Sequence, residues 1–101
     1  MKLKKGVKLT GVRPEITIAM IVAERVYNDY NRELVITSIT DGKHSATSLH
    51  YTGCAMDTRT RYFTDFEKLA VADDIRERLG THFDVVVETN HLHIEYDPRF
   101  K

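Results

Sequence analysis

Apolar side chains recur along this chain with two different periods, and each period predicts a different kind of element. Over residues 14–30 they return at spacings of three and four, which is typical of an amphipathic helix. A second helix is predicted over residues 65–79, because Thr64 and Glu67 have capping-box spacing and Gly80 can end the helix. The aromatic residues expected in the core are Tyr27, Tyr30, Phe66 and Phe83.

Between and after these helices, short runs rich in β-branched residues predict strands. The predicted strands cover residues 33–39, 54–60, 83–88 and 91–96, whereas residues 1–12 are expected to be extended and irregular. Only Thr89 and Asn90 separate the last two strands, which indicates a tight hairpin. The order predicts a single α+β domain over residues 1–101, with a small antiparallel sheet and two helices.

Charge and hydropathy exclude several classes of function. The chain has 15 Lys plus Arg and 15 Asp plus Glu, so it lacks the basic excess of a nucleic-acid binder. No apolar run is long enough for membrane insertion, and no secretory signal is evident. Cys54 is the single cysteine, so an internal disulfide is impossible. We therefore expect a protein that is cytoplasmic as synthesised. We also expect a monomer.

The last predicted strand carries the first candidate chemistry. Residues two apart in a strand share a face, so His91, His93 and Glu95 lie on one side of it. A two-residue turn would set Glu88 opposite His91, and a carboxylate beside two imidazoles suits a metal-and-base cluster. The alternative is a pair of ordinary exposed histidines.

The segment 48–57 adds a second candidate. His50 and Asp57 flank Gly53, which permits a turn that can bring the two side chains together. Two imidazoles and a carboxylate form a three-ligand set that suits Zn²⁺ and leaves a fourth position for water. The alternative is that Asp57 caps a turn and His50 is a surface residue.

Together, the two segments resemble the zinc D-Ala-D-Ala carboxypeptidases and peptidoglycan endopeptidases, a family that shares its fold with the signalling domain of Hedgehog. The pattern is Ser-x-His-x-x-Gly-x-Ala-x-Asp, followed near the C-terminus by His-x-His. The resemblance covers about residues 12–97 and is greatest to the short phage and prophage members. The matching residues are Ser48, His50, Gly53, Ala55, Asp57, His91 and His93.

The resemblance implies a Hedgehog/DD-peptidase-like fold, with zinc held by His50, Asp57 and His93. It implies that His91 stands beside the metal as a catalytic residue. The substrate would be a peptidoglycan stem peptide, cut by a D,D-carboxypeptidase or an L-Ala-D-Glu endopeptidase. Many relatives place a catalytic carboxylate where this chain has Asn90, so Glu88 is the expected general base.

Two other functions remain open. The same fold can hold zinc and serve binding without catalysis, and the missing carboxylate at Asn90 favours that alternative. A structural or interaction protein without metal is the second alternative. If the chain is phage-encoded, release by other proteins would carry it to the cell wall.

Overall fold

Two helices form within the described residues, at the positions that the sequence predicts. A computed structural model gives the structure of residues 1–39 and 53–97. Helix α1 spans Pro14–Asp29 and helix α2 spans Asp65–Leu79. Within the described residues, neither helix has the length and apolarity needed to cross a bilayer.

The predicted capping box begins α2. The Thr64 hydroxyl accepts a hydrogen bond from the Glu67 backbone amide at 3.1 Å, and Glu67 Oε1 accepts one from the Thr64 amide at 2.9 Å. These bonds satisfy two amides that a helix start otherwise leaves unpaired. Gly80 follows the helix with φ of 85°, a conformation that disfavours any side chain.

Within residues 1–39 and 53–97, five strands form one mixed sheet in the order β1-β2-β3-β5-β4. The expectation of a purely antiparallel sheet is therefore wrong in one place, because β1 pairs with β2 in parallel. Helix α1 joins these two strands, and a crossover of this kind returns the chain in the same direction. The strands are β1 (Lys2–Leu3), β2 (Val35–Ser38), β3 (Ala55–Arg59), β4 (Phe83–Val87) and β5 (His91–Tyr96).

Both helices pack on one face of the sheet, and the core lies between them. The helices contribute an apolar stripe each, and the strands contribute every second residue. Phe66 was expected in this core but is 81% exposed on α2. The buried residues include Ile16, Met20, Tyr27, Val71 and Ile75 from the helices, and Ile36, Met56, Val85, Leu92 and Ile94 from the strands.

Tyr27 fixes β3 to α1 from inside the core. Its side chain is fully buried, and its hydroxyl donates to the Arg59 carbonyl oxygen at 2.8 Å while accepting from the Thr58 hydroxyl at 2.8 Å. Burial raises the pKa of Tyr27, so the phenol keeps its proton and remains a donor. Because Thr58 points into the core, its neighbour Asp57 points to the opposite, helix-free face.

Candidate metal centre

The helix-free face of the sheet brings Asp57 and His93 together. They lie directly opposite each other on β3 and β5, and Asp57 Oδ1 is 3.0 Å from His93 Nδ1. The other ring nitrogen of His93, Nε2, lies 2.9 Å from Glu95 Oε1. The sequence predicted both Asp57 and His93 as metal ligands, and the sheet register makes them neighbours although 36 positions separate them.

The two carboxylates favour a charged His93 in the metal-free protein. A carboxylate oxygen accepts hydrogen bonds, so both ring nitrogens of His93 must donate, which requires the imidazolium form. The hydrogen bond to Asp57 raises the pKa of His93 most strongly, burial opposes this, and Glu95 raises it further. The side chain is 20% exposed, so these interactions are only partly screened by water.

This raised pKa predicts how the stability of zinc-free protein depends on pH. Folded His93 binds its proton more tightly than an unfolded histidine, whose pKa is near 6.5. The stabilisation is therefore complete below that value and is lost as the pH rises through the higher folded pKa. Urea unfolding of chelator-treated protein between about pH 5 and 9 should show the difference between wild type and His93→Gln shrinking with rising pH. Parallel curves for the two proteins would contradict the predicted charge on His93.

The same atoms fit a zinc ion in place of the shared proton. Ligands about 2.1 Å from a tetrahedral zinc lie about 3.4 Å from one another, close to the 3.0 Å between Asp57 Oδ1 and His93 Nδ1. Glu95 would keep its hydrogen bond from Nε2, an arrangement that commonly orients zinc-bound histidines. Zinc binding would require His93 to lose only the proton on Nδ1. The side chains would need little movement, because their ligand atoms are already close together.

His91 borders this pair and is oriented by Asn90. Its Nε2 lies 3.7 Å from Asp57 Oδ1, while its Nδ1 lies 2.7 Å from Asn90 Oδ1. An amide oxygen only accepts, so Nδ1 carries a proton. Neutral His91 therefore presents an accepting Nε2, and His91 can donate to an oxyanion from Nε2 only in its charged form. Asn90, which replaces the expected base, thus controls the tautomer of His91.

Glu88 lies on the face that the two-residue turn predicted. Its backbone amide donates to the His91 carbonyl at 2.9 Å, and the preceding pair is Val87 with Leu92, so Glu88 stands opposite His91. Its side chain is exposed, and it forms no hydrogen bond or ion pair with the residues that the structure describes. Its carboxylate therefore lies on the helix-free face at the hairpin tip, opposite His91.

Gly53, the glycine predicted to form a turn, occupies a position where the backbone and its neighbours leave no room for a side chain. Gly53 is buried with φ of 75°, and its carbonyl accepts a hydrogen bond from the Arg13 amide at 3.0 Å. A Cβ at this position would overlap the Gly11 carbonyl oxygen and lie 3.1 Å from the Val12 Cα. The third predicted ligand, His50, lies outside the described residues, as does Ser48 of the same motif.

Replacing Gly53 with alanine is expected to destabilise the protein by about 3 kcal/mol or more, from left-handed backbone strain and overpacking together. Gly6→Ala is the matched control, because Gly6 has φ of 93° but no atom within 4 Å of the added Cβ. It should lose only about 1 kcal/mol. Urea unfolding of both variants measures the difference, and equal losses would show that the contact with Gly11 is unimportant.

A carboxylate cluster that the sequence analysis missed adjoins the histidines. Ligand atoms of Asp84, Glu95 and Asp97 all lie within 4.8 Å of one another, so this group could hold a metal ion. Asp84 faces Glu95 across the hairpin, and Asp97 follows Glu95 by two positions. The alternation of side chains along β4 and β5 could have placed these carboxylates on one face. Only the register between the two strands shows that they are neighbours. Oxygen-only ligands favour hard cations such as Ca²⁺ or Mg²⁺ over zinc.

The helix-free face therefore carries two adjoining groups of side chains of metal-ligating type, and among the described residues only the carboxylate group brings three ligand atoms within 4.8 Å of one another. One contains imidazole and carboxylate at Asp57, His91 and His93, and the other contains carboxylates alone. Glu95 belongs to both, through its hydrogen bond with His93. No protein-family model matches the chain, and no curated protein matches it either.

Proposed function

We propose that this protein is a zinc-dependent peptidase with a Hedgehog/DD-peptidase-like fold, acting on peptidoglycan stem peptides. The observation that carries the proposal is the cross-strand pair of Asp57 and His93, whose facing atoms lie 3.0 Å apart. Glu95 holds the second nitrogen of His93, and His91 lies beside the pair. The motif spacing around His50, Asp57 and His93 supplies the substrate class by resemblance.

Zinc in this site would be held by His50, Asp57 and His93, and it would supply a Lewis acid that polarises the substrate carbonyl and acidifies water. Glu88 takes the proton from the attacking water and passes it to the leaving amine. His91 lies beside the pair, and its Nε2, when it carries a proton, donates to the oxygen that becomes negative. Asn90 Oδ1 accepts a hydrogen bond from Nδ1 of the same imidazole and so orients the ring. The products are a carboxylate and an amine, with one water consumed.

The helix-free face suits this chemistry because its groups have separate tasks. Asp57 and His93 are partly buried, with 17% and 20% of their side chains exposed, which favours fixed positions. Glu88 is exposed at the hairpin tip, where it can meet both solvent and substrate. A base within hydrogen-bond reach of the attacking water contributes a factor of about 10² to 10⁴ in rate.

The test is digestion of purified peptidoglycan by the full-length protein, with released peptides identified by mass spectrometry. We expect release with zinc present, loss of release with a chelator, and recovery when zinc is added back. Elemental analysis of the same preparation should give one zinc per chain.

Two results would contradict the proposal in different ways. Hydrolysis that persists in chelator would remove zinc from the mechanism. Full zinc occupancy without peptide release would favour the non-catalytic zinc-binding module, which Asn90 in place of a carboxylate also supports.

A further inference from the structure

A lysine of α2 holds the tip of the hairpin formed by β4 and β5. Lys68 Nζ donates to the Glu88 carbonyl oxygen at 3.2 Å and to the Thr89 carbonyl oxygen at 3.0 Å. The two carbonyls belong to consecutive residues of the turn, and Asn90 and His91 follow them directly. One ammonium group therefore restrains both peptide groups that lead into Asn90.

The position of Lys68 follows from where α2 begins. The Thr64 cap sets the start of the helix, and the Lys68 amide donates to the Thr64 carbonyl oxygen at 2.9 Å in its first turn. Only residues 80–82 join α2 to β4, so the strand runs back along the helix. Two cations of α2 reach the hairpin in this reversed order, because Arg76 contacts the Val85 carbonyl and Lys68 contacts the turn beyond it.

The turn transmits this contact to the helix-free face. Lys68 approaches from the side of the sheet that carries the helices, and both of its hydrogen bonds reach backbone atoms. Asn90 Oδ1 lies 2.7 Å from His91 Nδ1, and Glu88 stands opposite His91. Because a peptide group is planar, the Thr89 carbonyl that Lys68 binds also fixes the backbone nitrogen of Asn90. Lys68 therefore acts on Asn90 and His91 through the backbone.

Fold stability by itself does not require a lysine at this turn. An exposed turn carbonyl can bond to water, so the net gain from one such hydrogen bond is small. Water restricts the orientation of a peptide group less than two hydrogen bonds from a single ammonium do. At Val85 the strand pairing already fixes the backbone, so the hydrogen bonds from Arg76 Nε at 3.0 Å and Nη2 at 2.7 Å add no comparable restraint. The two cations therefore differ in what they position, although both bind carbonyls of the hairpin.

We infer that Lys68 is a positioning residue of the candidate metal centre, which holds the turn so that Asn90 keeps the proton of neutral His91 on Nδ1. The hydrogen bond made at one ring nitrogen determines which nitrogen of a neutral imidazole carries the proton. Loss of the ammonium releases the Asn90 side chain from the ring and moves the proton toward Nε2. This effect on the ring is independent of catalysis, whereas its consequence for hydrolysis rests on the proposed function.

The test reads the tautomer of His91 in the zinc-free, full-length chain from the nitrogen-15 chemical shifts of its ring. At about pH 8, where an ordinary imidazole is uncharged, we expect wild type to carry the proton on Nδ1. Lys68→Met keeps an unbranched side chain but removes the donor. In this variant the ratio of the Nδ1 form to the Nε2 form should fall about fivefold, the usual effect of one net hydrogen bond. Lys68→Arg should restore the wild-type ratio, since a guanidinium also donates to two acceptors.

Two further variants show whether the effect passes through the turn. Arg76→Gln also removes an α2 cation that binds a carbonyl of the hairpin, and it should leave the His91 ring unchanged. Asn90→Ala removes the acceptor itself and should shift the ring even with Lys68 in place. Adding Lys68→Met to Asn90→Ala should change nothing further, because both act on one contact. If Lys68→Met folds poorly, Lys68→Gln gives a second reading.

Hydrolysis provides a separate readout. With zinc bound, Lys68→Met should lower kcat for peptide release about tenfold, the effect expected when an outer partner of a metal site is lost. The reason is that a ring that Asn90 no longer holds is not aimed at the substrate, whichever nitrogen carries the proton. KM and zinc affinity should stay within about twofold of wild type, because Lys68 contacts neither substrate nor metal.

The outcomes separate this inference from the proposed function. An unchanged ring in Lys68→Met, or an equal shift in Arg76→Gln, would overturn the positioning role. A shifted ring with an unchanged kcat would overturn its consequence for catalysis. A shifted ring in a protein that releases no peptide in any variant would support the positioning role and contradict the peptidase.

Discussion

Replacing His93 with alanine is expected to abolish zinc binding and, with it, peptidoglycan hydrolysis. His93 contributes Nδ1 opposite Asp57 Oδ1, and a three-ligand site that loses one imidazole keeps too few donors to hold the metal. The loss of affinity should exceed the factor of about 10 to 100 expected when an outer-shell partner is removed. Glu95→Gln provides that comparison, because Glu95 contacts His93 through Nε2 and is not one of the three proposed zinc ligands. Asp57→Ala should match His93→Ala.

The clearest measurement is the zinc-dependent rise in melting temperature. At a free zinc concentration of 100 times Kd, binding stabilises the folded state by about 2.7 kcal/mol. This rise should be present in wild type and absent in His93→Ala. The absolute stability of the variant is a poorer guide, since removing the imidazolium leaves Asp57 and Glu95 without the cation between them.

Two control variants distinguish a histidine that binds zinc from one that only lies near the site. His82→Ala removes an exposed histidine outside the site and should bind zinc normally. His91→Ala should retain zinc and lose activity if His91 acts on the substrate. Full zinc occupancy in His93→Ala, together with loss of zinc in His91→Ala, would exchange the roles of the two histidines.

Replacing Glu88 with glutamine is expected to leave zinc bound and reduce peptidoglycan hydrolysis by at least about 100-fold. Removal of a general base costs a factor of about 10² to 10⁴ in rate, and an amide cannot take the proton of water at neutral pH. The turn at Thr89 and Asn90 sets Glu88 opposite His91, on the face that carries Asp57 and His93. The measurement is the initial rate of peptide release at saturating zinc.

Glu77→Gln serves as the control for loss of one exposed carboxylate, because Glu77 lies on α2 on the other side of the sheet. It should retain full activity. Unchanged activity in Glu88→Gln would exclude Glu88 as the base and turn attention to His91 or Glu95.

Asn90→Asp is the complementary change. It keeps an acceptor for His91 Nδ1 and places a carboxylate at the position where the family that the sequence resembles has one. We expect zinc binding to be retained and activity to rise. Activity that appears only in this variant, with wild type inactive, would support the non-catalytic module.

Much of the local structure could be predicted from the sequence, because it depends on short-range interactions. Helix α1 follows from a stripe of apolar residues, and α2 from the reciprocal hydrogen bonds of Thr64 and Glu67. Alternation along β5 placed His91, His93 and Glu95 on one face, and the two-residue turn fixed Glu88 opposite His91. Phe66 is the exception, because an apolar residue in the first turn of a helix can face solvent as readily as the core.

The tertiary structure determined which of these elements contact one another. Strand β1 has two residues, which are too few to show a sequence pattern. It forms because its backbone pairs with that of β2, although helix α1 separates the two strands in the chain. That pairing places Lys4 with Arg59 in the lining of one pocket, where the sequence predicted only that residues 1–12 are extended and irregular. The strand order, with β5 between β3 and β4, puts His93 between Asp57 and Glu95 and brings Asp84 to Glu95. Register between distant strands depends on how the whole core packs, so the sequence determined the side chains of the site, and only the folded sheet determined their distances.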